Sequence, residues 1–79
     1  MAIRVFISPT LKQYRPDYNS EQGLIVEAEP AKTVSQLARE LGIPLDEVSS
    51  ILVDYHVVEP NYVAKDNDAI YLLVAIGAG

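Results

Sequence analysis

Few residues in this 79-residue chain are equipped for chemistry. It has no cysteine, which removes disulfides, thiolate metal sites and cysteine nucleophiles together, and its single histidine cannot by itself build a histidine metal site. That histidine, His56, falls in a stretch that reads as a turn, where a solvated ring is the simpler account. Asp66 and Asp68 in "KDND" invite a metal or acid–base reading, but the composition is that of a turn flanked by its own carboxylates. Tyr14, Tyr18 and Tyr62 lie in polar connecting stretches that suggest no reaction. What remains is the closing stretch "YLLVAIGAG", an apolar run followed by Gly77, Ala78 and Gly79. A thin extended peptide can enter a buried site on another protein, and the five residues from Ala75 would span about 17 Å. Glycine is the thinnest such segment and allows backbone torsions closed to other residues.

The elements that would position this tail come from a chain of modest size. One domain, residues 1–79 with 77–79 as its tail, is expected, with room for a single core and none for a deep cavity. Hydrophobic residues make up 49% and charged residues 22%, as in folded proteins. A net charge of -5, from 11 acidic and 6 basic residues, would repel a phosphate backbone, so nucleic acid is not an expected partner. No apolar stretch approaches the roughly 20 residues needed to span a bilayer, and "MAIRVFIS" lacks the pattern of a secretory signal. The expectation is a cytoplasmic protein with no membrane partner.

Along the chain, Ile3, Val5 and Ile7 alternate with Arg4, Phe6 and Ser8, which predicts a strand over residues 2–8 with one buried face. Residues 9–23, with two prolines and a glycine, read as a long connection, and Leu24, Val26 and Ala28 mark a second strand antiparallel to the first. Thr33 is placed to cap a helix over residues 34–41 whose inner side carries Val34, Leu37, Ala38 and Leu41. Gln36 completes a capping box and Gly42 suits a left-handed C-terminal cap. A short helical turn follows Pro44. Ile51, Val53 and Tyr55 lead a third strand, a turn near residues 54–56 returns Val57 and Val58, and Ile70, Leu72, Val74 and Ile76 form the most hydrophobic strand. The order predicts an α+β domain, a mixed sheet of four to five strands packed on one helix, with the first and last strands side by side at its centre. The β-grasp, or ubiquitin-like, fold has this arrangement.

With that order in place, three stretches resemble the sulfur-carrier family that includes the small subunit of molybdopterin synthase and the thiazole-pathway carrier of thiamine synthesis. They are "KTVSQLARELGIPLDEV" (residues 32–48), "LVDYHVV" (52–58) and "KDNDAIYLLVAIGAG" (65–79), and "IRVFISPTLKQY" is similar to the molybdopterin-type opening. The long first hairpin places the likeness closer to the molybdopterin-synthase subunit. Two departures stand out. Asp54 and Tyr55 occupy the positions of the family's Asn-Gly turn, so a different turn geometry is expected, since a bulky residue at positive φ is costly. Ala78 replaces the penultimate glycine, while Gly79 matches the terminal one and Gly77 falls where a small residue is usual.

The resemblance implies that Gly79 offers its own carboxylate. An E1-like adenylating enzyme, using ATP, would activate it, and sulfur would then displace AMP to leave a thiocarboxylate. The chain would be a carrier and co-substrate rather than an enzyme, with no cofactor bound, and the large subunit of molybdopterin synthase is the second partner implied. Ala78 adds one methyl group beside the reacting carbon, so loading slower than with a diglycine tail is expected. Alternation also sets Tyr71, Leu73 and Ala75 opposite the core face, with Phe6 on the matching face of the first strand, and these four are the expected docking residues. Two other readings stay open: a non-catalytic ubiquitin-like interaction module, and a modifier attached to other proteins through an isopeptide bond.

Overall fold

Alternating apolar residues build a five-stranded mixed sheet with spatial order β2-β1-β5-β3-β4, seen in a computed structural model that describes residues 2–75. The strands are β1 (Ala2–Ile7), β2 (Leu24–Glu27), β3 (Ser50–Val53), β4 (His56–Val57) and β5 (Ala69–Leu73), and one helix, α1 (Val34–Leu41), lies between β2 and β3 in the chain. The central pair, β1 and β5, is parallel, while β2 on β1, β3 on β5 and β4 on β3 are antiparallel. One face of the sheet meets the helix. Ile3, Val5 and Ile7 of β1, Ile51 and Val53 of β3, and Ile70 and Leu72 of β5 are buried there against Val34 and Leu37 of α1. Burial of that apolar area is the main favourable contribution to the fold.

The helix starts and stops where its end residues require. Thr33 accepts a hydrogen bond from the Gln36 N–H at 3.1 Å, and the Gln36 side chain accepts one from the Thr33 N–H at 2.8 Å, completing the capping box. The remaining early amides are met by the loop before β5, since Val34 N–H donates to Tyr62 C=O and Ser35 N–H to Pro60 C=O, both at 2.9 Å. At the other end Gly42 has φ 77°, and its N–H closes the last turn onto Ala38 and Arg39. A short 3-10 turn, Leu45–Glu47, then leads to β3.

Two of the connections differ from the sequence expectation. The connection over residues 9–23 contains a 3-10 turn, Pro9–Tyr14, that drives Leu11 fully into the core. Its second half is closed by the Arg15 guanidinium, which donates to both carboxylate oxygens of Asp17 at 3.0 and 2.9 Å, and by the Asn19 side chain, which accepts from the Glu21 N–H at 2.7 Å. The other difference is the β3–β4 turn. Val53 pairs with His56, which leaves Asp54 and Tyr55 as a two-residue loop, and their φ values are 53° and 66°. The expected change of turn geometry is therefore wrong, and Tyr55 belongs to the turn rather than the strand. A two-residue hairpin loop matches the twist of its strands best when both central residues have positive φ, and the pairing of β3 with β4 imposes that form on Asp54 and Tyr55. Val58 follows β4 and still donates its N–H to Ile51 C=O at 2.9 Å.

Candidate functional site

Because β5 is central, the chain leaves the sheet between two neighbours. Parallel pairing puts the end of β1 beside the end of β5, and antiparallel pairing puts the start of β3 on the other side. The residues flanking the exit are Ser8, just after β1, and Ser49, just before β3. Ser8 N–H donates to Leu72 C=O at 3.1 Å and Ser49 N–H donates to Leu73 C=O at 2.7 Å. Their side chains then act as acceptors: Val74 N–H donates to Ser8 Oγ at 2.9 Å and Ala75 N–H to Ser49 Oγ at 2.8 Å. The last strand was expected to run through Val74 to Ile76, but its ladder ends at Leu73, and serine hydroxyls take over the bonding of the next two residues. Ile76, Gly77, Ala78 and Gly79 lie outside the described residues, and so does the reactive carboxylate expected at Gly79.

The sheet face away from the helix carries the four expected docking positions or leads to them. Phe6 pairs with Tyr71 across the β1–β5 ladder, and their rings stack with centroids 4.8 Å apart and planes 16° from parallel. Tyr71 in turn registers with Leu52 of β3, and Leu52 with Val57 of β4, so one apolar row crosses four strands. Phe6 and Leu73 are half-buried, Tyr71 is 41% exposed, and Ala75 is exposed at the exit. At the other end of the row, Gly23 has φ 74°, and a methyl group there would lie 3.0 Å from both Phe6 Cε1 and the Val5 carbonyl oxygen. The absent side chain makes room for the Phe6 ring.

Two shallow grooves flank Tyr71. One, of about 390 Å³, is lined by Leu52, Asp54, Tyr55, Ala69 and Tyr71. The other, of about 400 Å³, includes Arg4, Phe6, Asn67 and Ala69 along its walls with Tyr71. Tyr55 is 96% exposed at the rim of the first groove. Sequence reasoning treated Tyr55 as a local departure, yet its ring and Val57, 71% exposed, extend the apolar face toward β4. Alternation can place residues on one face, but only the register shows which stand in one row.

The other chemistry-bearing residues serve the fold. Asp68 accepts from the Lys65 N–H at 2.8 Å and from the Tyr62 hydroxyl at 3.0 Å, bracing the turn before β5. Burial first, and then the bond to Asp68, push the Tyr62 phenol above its ordinary range. Tyr14 donates to Glu47 at 2.6 Å, and that bond raises its pKa, while the Tyr18 hydroxyl accepts from the Ile7 N–H at 3.2 Å. His56 is exposed in β4 beside the turn. Among the described residues, no three histidine, aspartate or glutamate side chains gather as a metal site. Nor is any helix among them long and apolar enough to cross a membrane.

No curated protein matches the chain. The family described as Mut7-C ubiquitin matches residues 1–73, which take in all five strands and the helix and stop before the tail. With a mixed five-stranded sheet packed on one helix, and a match over nearly the whole chain, this protein belongs to the Mut7-C ubiquitin family and has a ubiquitin-like β-grasp fold.

Proposed function

We propose that this ubiquitin-like domain is a sulfur carrier whose reactive group is the carboxylate of Gly79. The observation that carries the reading is the path of β5, a central strand held on both sides to its last ladder bond and followed, after three more residues in the sequence, by Gly-Ala-Gly. In the first step a carboxylate oxygen of Gly79 attacks the α-phosphorus of ATP, pyrophosphate leaves, and an acyl adenylate forms. In the second, hydrosulfide released by a sulfur donor attacks the acyl carbon and AMP departs, leaving a thiocarboxylate. Both steps take place on a partner, an E1-like adenylating enzyme, and the loaded tail then delivers sulfur to a biosynthetic enzyme. Molybdopterin synthesis is the pathway that the long β1–β2 connection favours. Phe6, Tyr71, Leu73 and Ala75 form the docking surface, extended by Leu52, Tyr55 and Val57, because an aromatic stack rimmed by grooves suits an apolar partner surface.

A second reading has its own support in Ala78, since a tail without the penultimate glycine also fits an interaction module that is never activated. Intact mass decides between them after incubation with ATP, a sulfur donor and the host's adenylating enzyme. A gain equal to the difference between sulfur and oxygen, mapped to Gly79, supports the carrier, and an unchanged mass supports the interaction module. Adducts on lysine identify a protein modifier. The carrier reading also requires that the mature protein isolated from its host ends in a free Gly79 carboxylate, and a longer C-terminal peptide would overturn it.

A further inference from the structure

We propose that Ser8 and Ser49 are positioning residues that hold the chain for two residues beyond the last ladder bond of β5, and so fix the point from which the tail reaches its partner's site. For its final step the inference rests on the sulfur-carrier reading. The backbone amides just past the ladder need acceptors. In an extended strand successive amides point to opposite sides, so Val74 N–H faces the β1 side and Ala75 N–H the β3 side. Neither neighbour supplies a carbonyl there. After Ile7 the chain turns off into the 3-10 turn that begins at Pro9, and β3 begins only at Ser50.

The two serines fill both places in the same manner. Each donates its own N–H to a β5 carbonyl, Leu72 for Ser8 and Leu73 for Ser49, and each accepts from an amide two residues further on with its hydroxyl. The distances, 2.9 Å to Ser8 Oγ and 2.8 Å to Ser49 Oγ, are those of well-formed hydrogen bonds. The pair closes on β5 from opposite sides, and the partners are far apart in sequence, 66 residues for Ser8 and Val74. Local turn chemistry therefore cannot account for the contact.

Holding Ala75 sets the reach of the tail beyond it. The four residues that follow Ala75 extend at most about 14 Å, whereas release back to Leu73 would leave six, about 21 Å. The longer tether samples more conformations, and those must be surrendered when the tail enters a partner's site. The serines thus act on docking of the tail and not on the reacting carbon.

The test uses Ser8→Ala, Ser49→Ala, the double variant, and the Ser→Thr variants that keep a hydroxyl. Ser8 is half-buried and Ser49 exposed, so alanine leaves the buried core in place. Amide hydrogen exchange reads the clamp without any partner. Ser8→Ala is expected to speed exchange at Val74 at least tenfold and Ser49→Ala at Ala75, each with little effect on the other amide, and threonine is expected to restore protection. Unprotected amides in the original protein, or exchange unmoved by alanine, would overturn the clamp. In the loading reaction the double variant is expected to raise KM for the carrier about tenfold with kcat changed less than twofold, the pattern of a lost docking preference. An unchanged KM, despite faster exchange, would overturn the positioning role. If the original protein takes up no sulfur at all, the carrier reading and the positioning role fall together, while the exchange data still decide whether the clamp exists.

Discussion

Tyr55 shows most directly how a single residue carries a cost that the fold imposes. An L-residue in the left-handed region costs roughly 1–2 kcal/mol that glycine avoids, and this side chain is 96% exposed, so no buried contact offsets it. Tyr55→Gly is accordingly expected to stabilise the protein by about 1 kcal/mol in denaturant unfolding. The same change removes an aromatic ring from the rim of the groove beside Tyr71, so a partner that docks there should bind the more stable variant less tightly. A gain in stability at no loss of binding would separate Tyr55 from the docking surface. That Tyr55 stands in the turn is a consequence of the pairing of Val53 with His56, a long-range fact that reading residue types one by one does not reveal. Ser8 and Ser49 were hidden for the same reason. A serine is unremarkable in any loop, and only the arrival of β5 between them gives their hydroxyls something to do.

Elements with strong local signals were legible to the residue. The helix bounds, Val34 to Leu41, are set by Thr33, Gln36 and Gly42, each of which acts on the backbone within four positions of itself. The strands were legible because alternation is also local, although the length of β5 was overestimated where apolar residues continue past the ladder. Leu11 was missed because one apolar residue among polar ones has no period, and its burial depends on the sheet it packs against. At this scale the capping box gives a measurable prediction. Thr33→Ala removes the acceptor for the Gln36 N–H and should cost about 1 kcal/mol in equilibrium unfolding, with Thr33→Ser recovering most of it. Equal stability of the alanine variant would mean that the loop carbonyls of Pro60 and Tyr62 hold the helix start without the cap.

Across the whole molecule, burial and side-chain hydrogen bonds set the response to pH, and the exposed sheet face sets the response to surface charge. The Tyr62 phenol is held above its ordinary value of 10.0, so the folded state keeps a proton that the unfolded chain gives up. This stabilisation is complete below about pH 10 and disappears as pH rises through the folded value. Tyr14 contributes in the same direction through its bond to Glu47. Tyr62→Phe should therefore lower stability by about 1 kcal/mol at neutral pH through the lost hydrogen bond, and should flatten, without abolishing, the alkaline fall. Thermal midpoints for both proteins from about pH 8 to about pH 11, roughly one unit apart, check the sign. Surface charge tests the outer face. Leu73→Glu places a charge beside the Phe6–Tyr71 stack, away from the core, and is expected to leave the fold intact while, on the proposed carrier function, weakening association with an adenylating enzyme more than about tenfold. Normal association of a folded variant would remove this face as the docking surface.

The parallel pairing of β1 with β5 also decides how the domain meets a pulling force. A load on the chain beyond β5, opposed by one on the start of β1, drags two adjacent parallel strands in opposite directions along their length. The hydrogen bonds between them are then sheared together rather than unzipped one after another, as they would be between β3 and β4. Such a geometry resists extraction by a machine that grips the tail, and the rate of forced unfolding, rather than equilibrium stability, would govern how long the domain survives it.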